Sequence, residues 1–128
     1  MSVPEDLRYS KEHEWARVEG DLVRIGITDY AQHQLGDVVY VELPEKGDSF
    51  GFMEPFGVIE SVKAASDLYC PVAGTVVEAN TELEDAPELV NEDPYGDGWM
   101  IVVQPDDLAD LEKLLSPAEY AAMIEEEE

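Results

Sequence analysis

Lys63 is the residue whose type and position say most about the chemistry of this chain. The sequence has only seven basic residues against 31 acidic ones. Lys63 lies in the run Glu60–Asp67, between two segments predicted to form strands, and therefore at the tip of a hairpin. A lysine amine can form a stable amide, and its flexible stem extends the reach of an attached acyl or biotinyl arm. The pattern favours an attachment site over an ordinary solvated turn lysine.

The other reactive side chains do not form a catalytic set, which would need a nucleophile, a base and an orienting group. Cys70 precedes a proline in a predicted strand and is interpreted as a small packed side chain. His13 and His33 are twenty residues apart, which is not a metal-ligand spacing. Adjacent carboxylates carry little information in a chain with 31 acids. We therefore expect no catalytic residue, no metal site and no enzymatic activity from the chain alone.

The charge of the chain limits its partners. The formal net charge is −24, yet 45% of the residues are hydrophobic, which is too many for a disordered acidic tail. Binding to nucleic acid or to an anionic membrane needs clustered Lys and Arg, and the sequence has no such cluster. Because the acids are dispersed, we hypothesise a halophilic source. Molar salt shortens the Debye length to about 3 Å and screens the self-repulsion.

The sequence also predicts the compartment. A single cysteine cannot form an internal disulfide, which is typical of a reducing interior. The first 30 residues lack the basic start and apolar run of a signal peptide. No stretch approaches the roughly 18 apolar residues of a membrane span. We expect a cytoplasmic protein, and a monomer because like charge keeps copies apart.

Short strands separated by turn residues must position Lys63. Their spacing predicts an all-β sandwich or barrel, and the length predicts one domain over residues 1–128. Thr28 can cap a short helix over Asp29–Leu35, which Gly36 is placed to end. The predicted strands are Glu14–Glu19, Leu22–Ile27, Val38–Leu43, Gly57–Val62, Asp67–Val72, Thr75–Ala79 and Trp99–Val103.

The C-terminal part, about residues 106–125, is predicted to be helical. Leucines on one helical face predict a helix over Asp106–Leu115. Ser116 and Glu119 form a capping box, with a proline at the first position of a second helix. The final run Glu125–Glu128 puts negative charge at the negative end of the helix dipole, so we expect it to fray. The preceding acidic segment 81–95 is predicted to be a loop.

Several motifs in order give the chain a family resemblance. The run around Lys63 resembles the lipoylation motif of the glycine cleavage system H protein family, and the resemblance covers roughly residues 7–125. The other matching segments are His13-Glu14-Trp15, Gly26–Gln32, Leu35–Asp37, Val39–Pro44 with Gly47, Pro71–Gly74, Glu78 with Asn80, Asn91, and Asp93–Gly96 with Gly98-Trp99.

The resemblance implies a fold and a role. The fold would be a barrel-sandwich hybrid of two small antiparallel sheets, with lipoate amide-linked to Lys63 on an exposed hairpin. The protein would be a carrier of an aminomethyl group. It would receive the group from a glycine decarboxylase, pass it to an aminomethyltransferase, and be reoxidised by a dihydrolipoamide dehydrogenase. A lipoate ligase or a lipoyl/octanoyl transferase would attach the arm.

The resemblance also implies site residues. Glu60, Ser61, Val62 and Ala64 would complete the attachment motif, in which Glu60 is either a recognition residue or an ordinary strand-edge charge. Candidates for a cleft that shelters the loaded arm are Glu14, Asp67 and Glu12. In such proteins Ser often stands where this chain has Glu12, and His where it has Gln34, so contacts in the cleft are expected to differ.

Three related carriers are alternatives. Biotin carriers usually place methionines beside the lysine, and Val62 and Ala64 argue against them. Lipoyl domains of 2-oxoacid dehydrogenases usually have Asp before the lysine and are joined to further domains. An H-like protein that relays lipoate during cofactor assembly stays open, because its attachment motif would be the same.

Overall fold

The computed structural model describes residues 2–127, which form two antiparallel sheets with short helices. The larger sheet has the strand order β1-β2-β3-β9-β8-β5, and the smaller has the order β4-β6-β7. The predicted β architecture is therefore confirmed. The strands are β1 (Arg8–Tyr9), β2 (Glu14–Glu19), β3 (Leu22–Ile27), β4 (Val38–Glu42), β5 (Ser49–Phe50), β6 (Pro55–Ser61), β7 (Ala65–Tyr69), β8 (Gly74–Ala79) and β9 (Ile101–Pro105).

The smaller sheet holds the hairpin that carries Lys63. Strands β6 and β7 pair antiparallel, and Glu60 faces Ala65 at the last pair before the turn. On its other side β6 pairs with β4, where the register shifts between Val38 and Tyr40. A shift of this kind marks a β-bulge, at which the alternation of side chains between the two faces is interrupted.

The core lies between the two sheets. It consists of inward-facing aliphatic residues from both sheets, and Cys70 is fully buried within it. The Cys70 thiol donates a hydrogen bond to the Val72 carbonyl at 3.0 Å, and burial raises its pKa to about 12. These observations confirm the prediction of a packed cysteine. A second, more aromatic cluster contains Leu7, Tyr9, Trp15, Tyr30, Tyr120 and Ile124.

The first helix agrees with the prediction. Helix α1 spans Asp29–Leu35, and the Thr28 hydroxyl accepts a hydrogen bond from the Ala31 N–H at 3.1 Å. Gly36 ends the helix with a φ of 79°, in the left-handed region that glycine adopts without a Cβ penalty. After this helix the chain continues directly into β4, the first strand of the smaller sheet.

The structure differs from the prediction in two later segments. The segment 81–95 contains two single-turn helices, α2 (Glu82–Asp85) and α3 (Leu89–Glu92), because Leu83 and Val90 are drawn into the core. The predicted helix over Asp106–Leu115 is a 3₁₀ helix limited to Leu108–Lys113.

The last helix begins as predicted but runs further than expected. Helix α4 spans Pro117–Glu127. The Ser116 N–H donates to the Glu119 carboxylate at 2.9 Å, and the Glu119 N–H donates to the Ser116 hydroxyl at 3.2 Å, so the capping box is confirmed. The helix includes the first three residues of the run Glu125–Glu128 that is expected to fray, and Glu128 lies outside the described residues. Among residues 2–127 no helix is long and apolar enough to cross a membrane.

Candidate functional site

Ser61 organises the turn that presents Lys63. Its N–H donates to the Ala64 carbonyl at 2.8 Å, and its hydroxyl accepts from the N–H groups of Lys63 and Ala64 at 3.3 and 3.1 Å. The Val62 N–H donates to the Asp37 carbonyl at 3.0 Å, which ties the turn to the segment before β4. The backbone of the tip therefore makes several local hydrogen bonds and one hydrogen bond to the segment before β4.

The Lys63 side chain is exposed and its stem runs past Gly36. A Cβ placed on Gly36 would be 3.3 Å from Lys63 Cε and 3.9 Å from Nζ. Glycine at this position leaves the stem free to move, and its positive φ independently disfavours any other residue. Gly36 directly follows Leu35, which is one of the residues that line a cleft.

The cleft has a volume of about 290 Å³ and lies between the loop before β2, helix α1 and the edge strand β7. Apolar side chains at the edge of the core and four carboxylate side chains line it. Strand β7, which begins just after the Lys63 turn, supplies one side of it. The lining residues are Glu12, His13, Glu14, Ile27, Tyr30, Ala31, Gln34, Leu35, Ile59, Ser66, Asp67, Leu68 and Glu127.

Glu14 is the most unusual of these residues, because it is a carboxyl group with only 1% of its surface exposed. One carboxyl oxygen accepts a hydrogen bond from the Ser10 hydroxyl, and the other accepts from the Tyr69 N–H at 3.2 Å. Burial raises the pKa of Glu14 to about 8, although these hydrogen bonds oppose the shift and nearby Glu12 adds to it. With the cleft empty, Glu14 is therefore largely protonated at neutral pH.

His13, in the loop before β2, contacts two residues of helix α4. His13 Nδ1 is 2.8 Å from the Tyr120 hydroxyl, and Nε2 is 3.4 Å from a Glu127 carboxylate oxygen. Burial lowers the pKa of His13, although Glu127 and Glu12 both oppose the shift. His13 also has a φ of 73°, which is strained for a non-glycine residue. These contacts place the Glu127 carboxylate at the cleft.

The structure brings together the three residues that the sequence analysis selected for the cleft. Glu12, Glu14 and Asp67 all line it, and so does Gln34. Glu60 lies elsewhere, exposed on the outer face of the smaller sheet. The prediction missed His13, Ile59 of strand β6, and the α1 residues other than Gln34. It also missed Glu127, because nothing in the run of four glutamates at 125–128 distinguishes one of them from the others.

An exposed lysine at a hairpin tip in the smaller of two antiparallel sheets, with a cleft nearby, is the arrangement of the lipoyl-carrier class of barrel-sandwich proteins. Comparison with known proteins specifies the family. The model of the family "Glycine cleavage H-protein" matches residues 7–127. The chain therefore belongs to the glycine cleavage H-protein family, a carrier component of the glycine cleavage system.

Individual relatives agree with this assignment. The chain is 60% identical over 126 residues to the glycine cleavage system H protein of Geobacillus thermodenitrificans, covering 98% of this chain and 99% of the relative. It is 58% identical over 128 residues to that of Anaeromyxobacter sp. strain K, with full coverage of both. The crystal structure of a glycine cleavage system H protein from Mycobacterium marinum superposes with a TM-score of 0.89 at 41% identity, covering 96% of this chain and 99% of that one.

Proposed function

We propose that this protein carries lipoate as an amide on Lys63 and moves the aminomethyl group of glycine between the enzymes of the glycine cleavage system. The observation that carries the proposal is the position of Lys63. Its side chain is exposed at a hydrogen-bonded hairpin tip, and its stem passes Gly36 at the edge of a cleft rich in carboxylates. Lipoate supplies the disulfide and dithiol forms that accept and release the aminomethyl group.

Attachment of the arm requires that the Lys63 amine be accessible to an activated lipoyl group. Neutral Lys63 Nζ attacks the carbonyl carbon of an activated lipoyl group, such as an acyl adenylate. A C–N bond forms, the C–O bond to the adenylate breaks, AMP leaves, and the amine gives up a proton to solvent. Hydrogen bonds between Ser61 and Ala64 close the turn that presents the lysine.

The cleft favours a cationic cargo over a neutral one. Glu12, Asp67 and Glu127 bring carboxylates to its walls and attract a protonated amine. Glu14 lies deeper and has a pKa of about 8 when the cleft is empty. A cation within a few ångströms stabilises the ionised carboxylate, so Glu14 would release its proton to solvent as the amine arrives. The loaded arm would thus be held by a buried charge pair and shielded from water.

The proposal assigns the remaining partners by chemistry. A glycine decarboxylase loads the arm, an aminomethyltransferase unloads it, and a dihydrolipoamide dehydrogenase reoxidises the dithiol. A lipoate ligase or a lipoyl/octanoyl transferase attaches it. We place the protein in the cytoplasm as a monomer in one domain. A protein that only relays lipoate would have no use for four carboxylates around a cleft, which favours the aminomethyl carrier.

The test is the modification state of matched lysine variants. Lys63→Ala should abolish lipoylation by a lipoate ligase supplied with ATP and lipoate, and Lys46→Ala, which removes another exposed lysine, should leave it intact. Intact mass and peptide fragmentation give the readout. The free energy of unfolding of Lys63→Ala should stay within about 0.5 kcal/mol of the wild type. Lipoylation of the Lys63→Ala protein, or an unmodified wild type, would contradict the proposal.

A further inference from the structure

Three of the six large hydrophobic side chains exposed among residues 2–127 lie beside the attachment hairpin. Val39 is 54% exposed, Tyr40 is 47% exposed and Val62 is 68% exposed. The other three are scattered, on β2, in the 50–54 turn and in the 3₁₀ helix. We call Val39, Tyr40 and Val62 the tip patch. A clustered apolar patch on an otherwise highly charged surface is a feature of interaction sites, whereas single exposed apolar residues are ordinary.

The β-bulge in β4 builds this patch. Tyr40 faces Glu60 on the neighbouring strand, and side chains that face each other across a pair share one side of the sheet. Val62 lies in the turn just beyond β6, and its N–H donates to the carbonyl of Asp37, two residues before Val39. Val39 would point to the opposite, buried side in a regular strand. The register shift between Val38 and Tyr40 interrupts the alternation, and Val39 is exposed together with Tyr40.

The inner side of the same strand shows that the exposure is specific to the bulge. Val38 is 4% exposed and Val41 is 1% exposed, so both neighbours of the Val39–Tyr40 pair are in the core. Two further apolar side chains on the solvated face add nothing to the core, and their presence there needs another explanation.

We propose that the tip patch is the docking surface for the enzyme that acylates Lys63; this inference rests on the proposed function. The reason is reach. A bare lysine has only its own four-carbon stem, so the acylating active site must close directly over the hairpin tip and its neighbours. An enzyme that acts on the finished arm works a full acyl chain further away and can dock on another part of the surface.

The charges around the patch describe its partner. Glu60 lies opposite Tyr40, Glu42 is two residues further along β4, and both are exposed. The surface is therefore an apolar centre with an acidic border. Its complement is a protein with an apolar pocket bordered by Lys or Arg next to its acyl-transfer centre. Acidic borders steer encounter with a basic partner, and the apolar centre slows dissociation.

The experiment compares two double variants with matched exposure. Val39→Ser with Tyr40→Ser removes most of the patch and leaves the attachment motif intact. Val18→Ser with Leu108→Ser removes two side chains that are 50% and 47% exposed elsewhere. Initial rates of lipoylation are measured by intact mass at limiting carrier, with purified lipoate ligase, ATP and lipoate. We expect kcat/KM for the patch variant to fall by about tenfold or more, and for the control by less than about twofold.

Two further measurements separate docking from other effects. Urea unfolding checks that the variants are folded. If the double variant of the tip patch does not fold, the single variant Tyr40→Thr, which retains strand propensity, takes its place. Each variant is also lipoylated to completion with excess ligase. Reduction of its lipoyl disulfide to the dithiol by reduced nicotinamide cofactor, catalysed by dihydrolipoamide dehydrogenase, should match that of the wild type. An unchanged kcat/KM for lipoylation, an equal loss in the control, or a loss confined to dehydrogenase turnover would overturn the inference. An unmodified wild type would instead refute the proposed function.

Discussion

The buried carboxyl of Glu14 makes the stability of this protein depend on pH in an unusual direction. The pKa of Glu14 rises from about 4.5 to about 8 on folding, because the group loses its hydration. Between these pH values the folded state binds more protons than the unfolded state, so the free energy of unfolding falls as pH rises. Below the lower value both states are protonated and there is no penalty. Above the upper value both are ionised and the penalty is complete.

The magnitude follows from the shift. One pKa unit corresponds to about 1.36 kcal/mol, so a shift from 4.5 to about 8 costs on the order of 5 kcal/mol at high pH. From pH 5 to pH 9 the expected change is about 4 kcal/mol. Glu14→Gln removes the titration and keeps an oxygen that can accept the Tyr69 N–H. We expect the variant to resemble the wild type near pH 5 and to be several kcal/mol more stable at pH 9.

The assay is urea unfolding of wild type and Glu14→Gln from pH 5 to pH 9 in molar KCl, which screens the overall negative charge. The difference between the two proteins isolates Glu14, because other titrating groups affect both. Glu126→Gln, which removes one exposed charge, controls for the change in net charge. A difference between wild type and Glu14→Gln that is flat across this range would refute the reasoning, and so would an equal slope in the control.

Two further predictions concern packing and charge. Gly57→Ala should cost about 2–4 kcal/mol in urea unfolding, because its Cβ would be only 2.2 Å from the Glu42 carbonyl oxygen. Gly51→Ala, whose Cβ would have no atom within 4 Å, should change the free energy of unfolding by less than about 1 kcal/mol, and equal effects would contradict this. The melting temperature should rise from low salt to molar KCl, since only three ion pairs occur among residues 2–127, and an unchanged value would refute the halophile hypothesis.

Local patterns predicted most of the elements that surround Lys63. The Thr28 cap, the Gly36 end of helix α1 and the Ser116 capping box depend on contacts within a few residues, and all three occur in the structure. The segment 81–95 was predicted wrongly as a loop. Its two helical turns form because Leu83 and Val90 enter the core, and no local signal reports that contact.

The sequence by itself determined the β architecture and the place of Lys63 at a hairpin tip. Turn residues, strand propensity and the pairing of adjacent strands are properties of near neighbours in the chain, so a local reading suffices for them. The family resemblance added Glu12, Glu14 and Asp67 as cleft candidates, but it gave no account of their environments.

Only the tertiary structure decided what those environments are. Burial removes water from Glu14 and raises its pKa, while Asp67 stays exposed at the same cleft. The contact between His13 and Glu127 joins opposite ends of the chain, and the bulge at Val39 depends on pairing with β6. Solvent exposure and long-range contacts are properties of the folded assembly. For that reason the cleft and the tip patch can be recognised only in the folded structure, the cleft from contacts between distant segments and the tip patch from the pairing of β4 with β6.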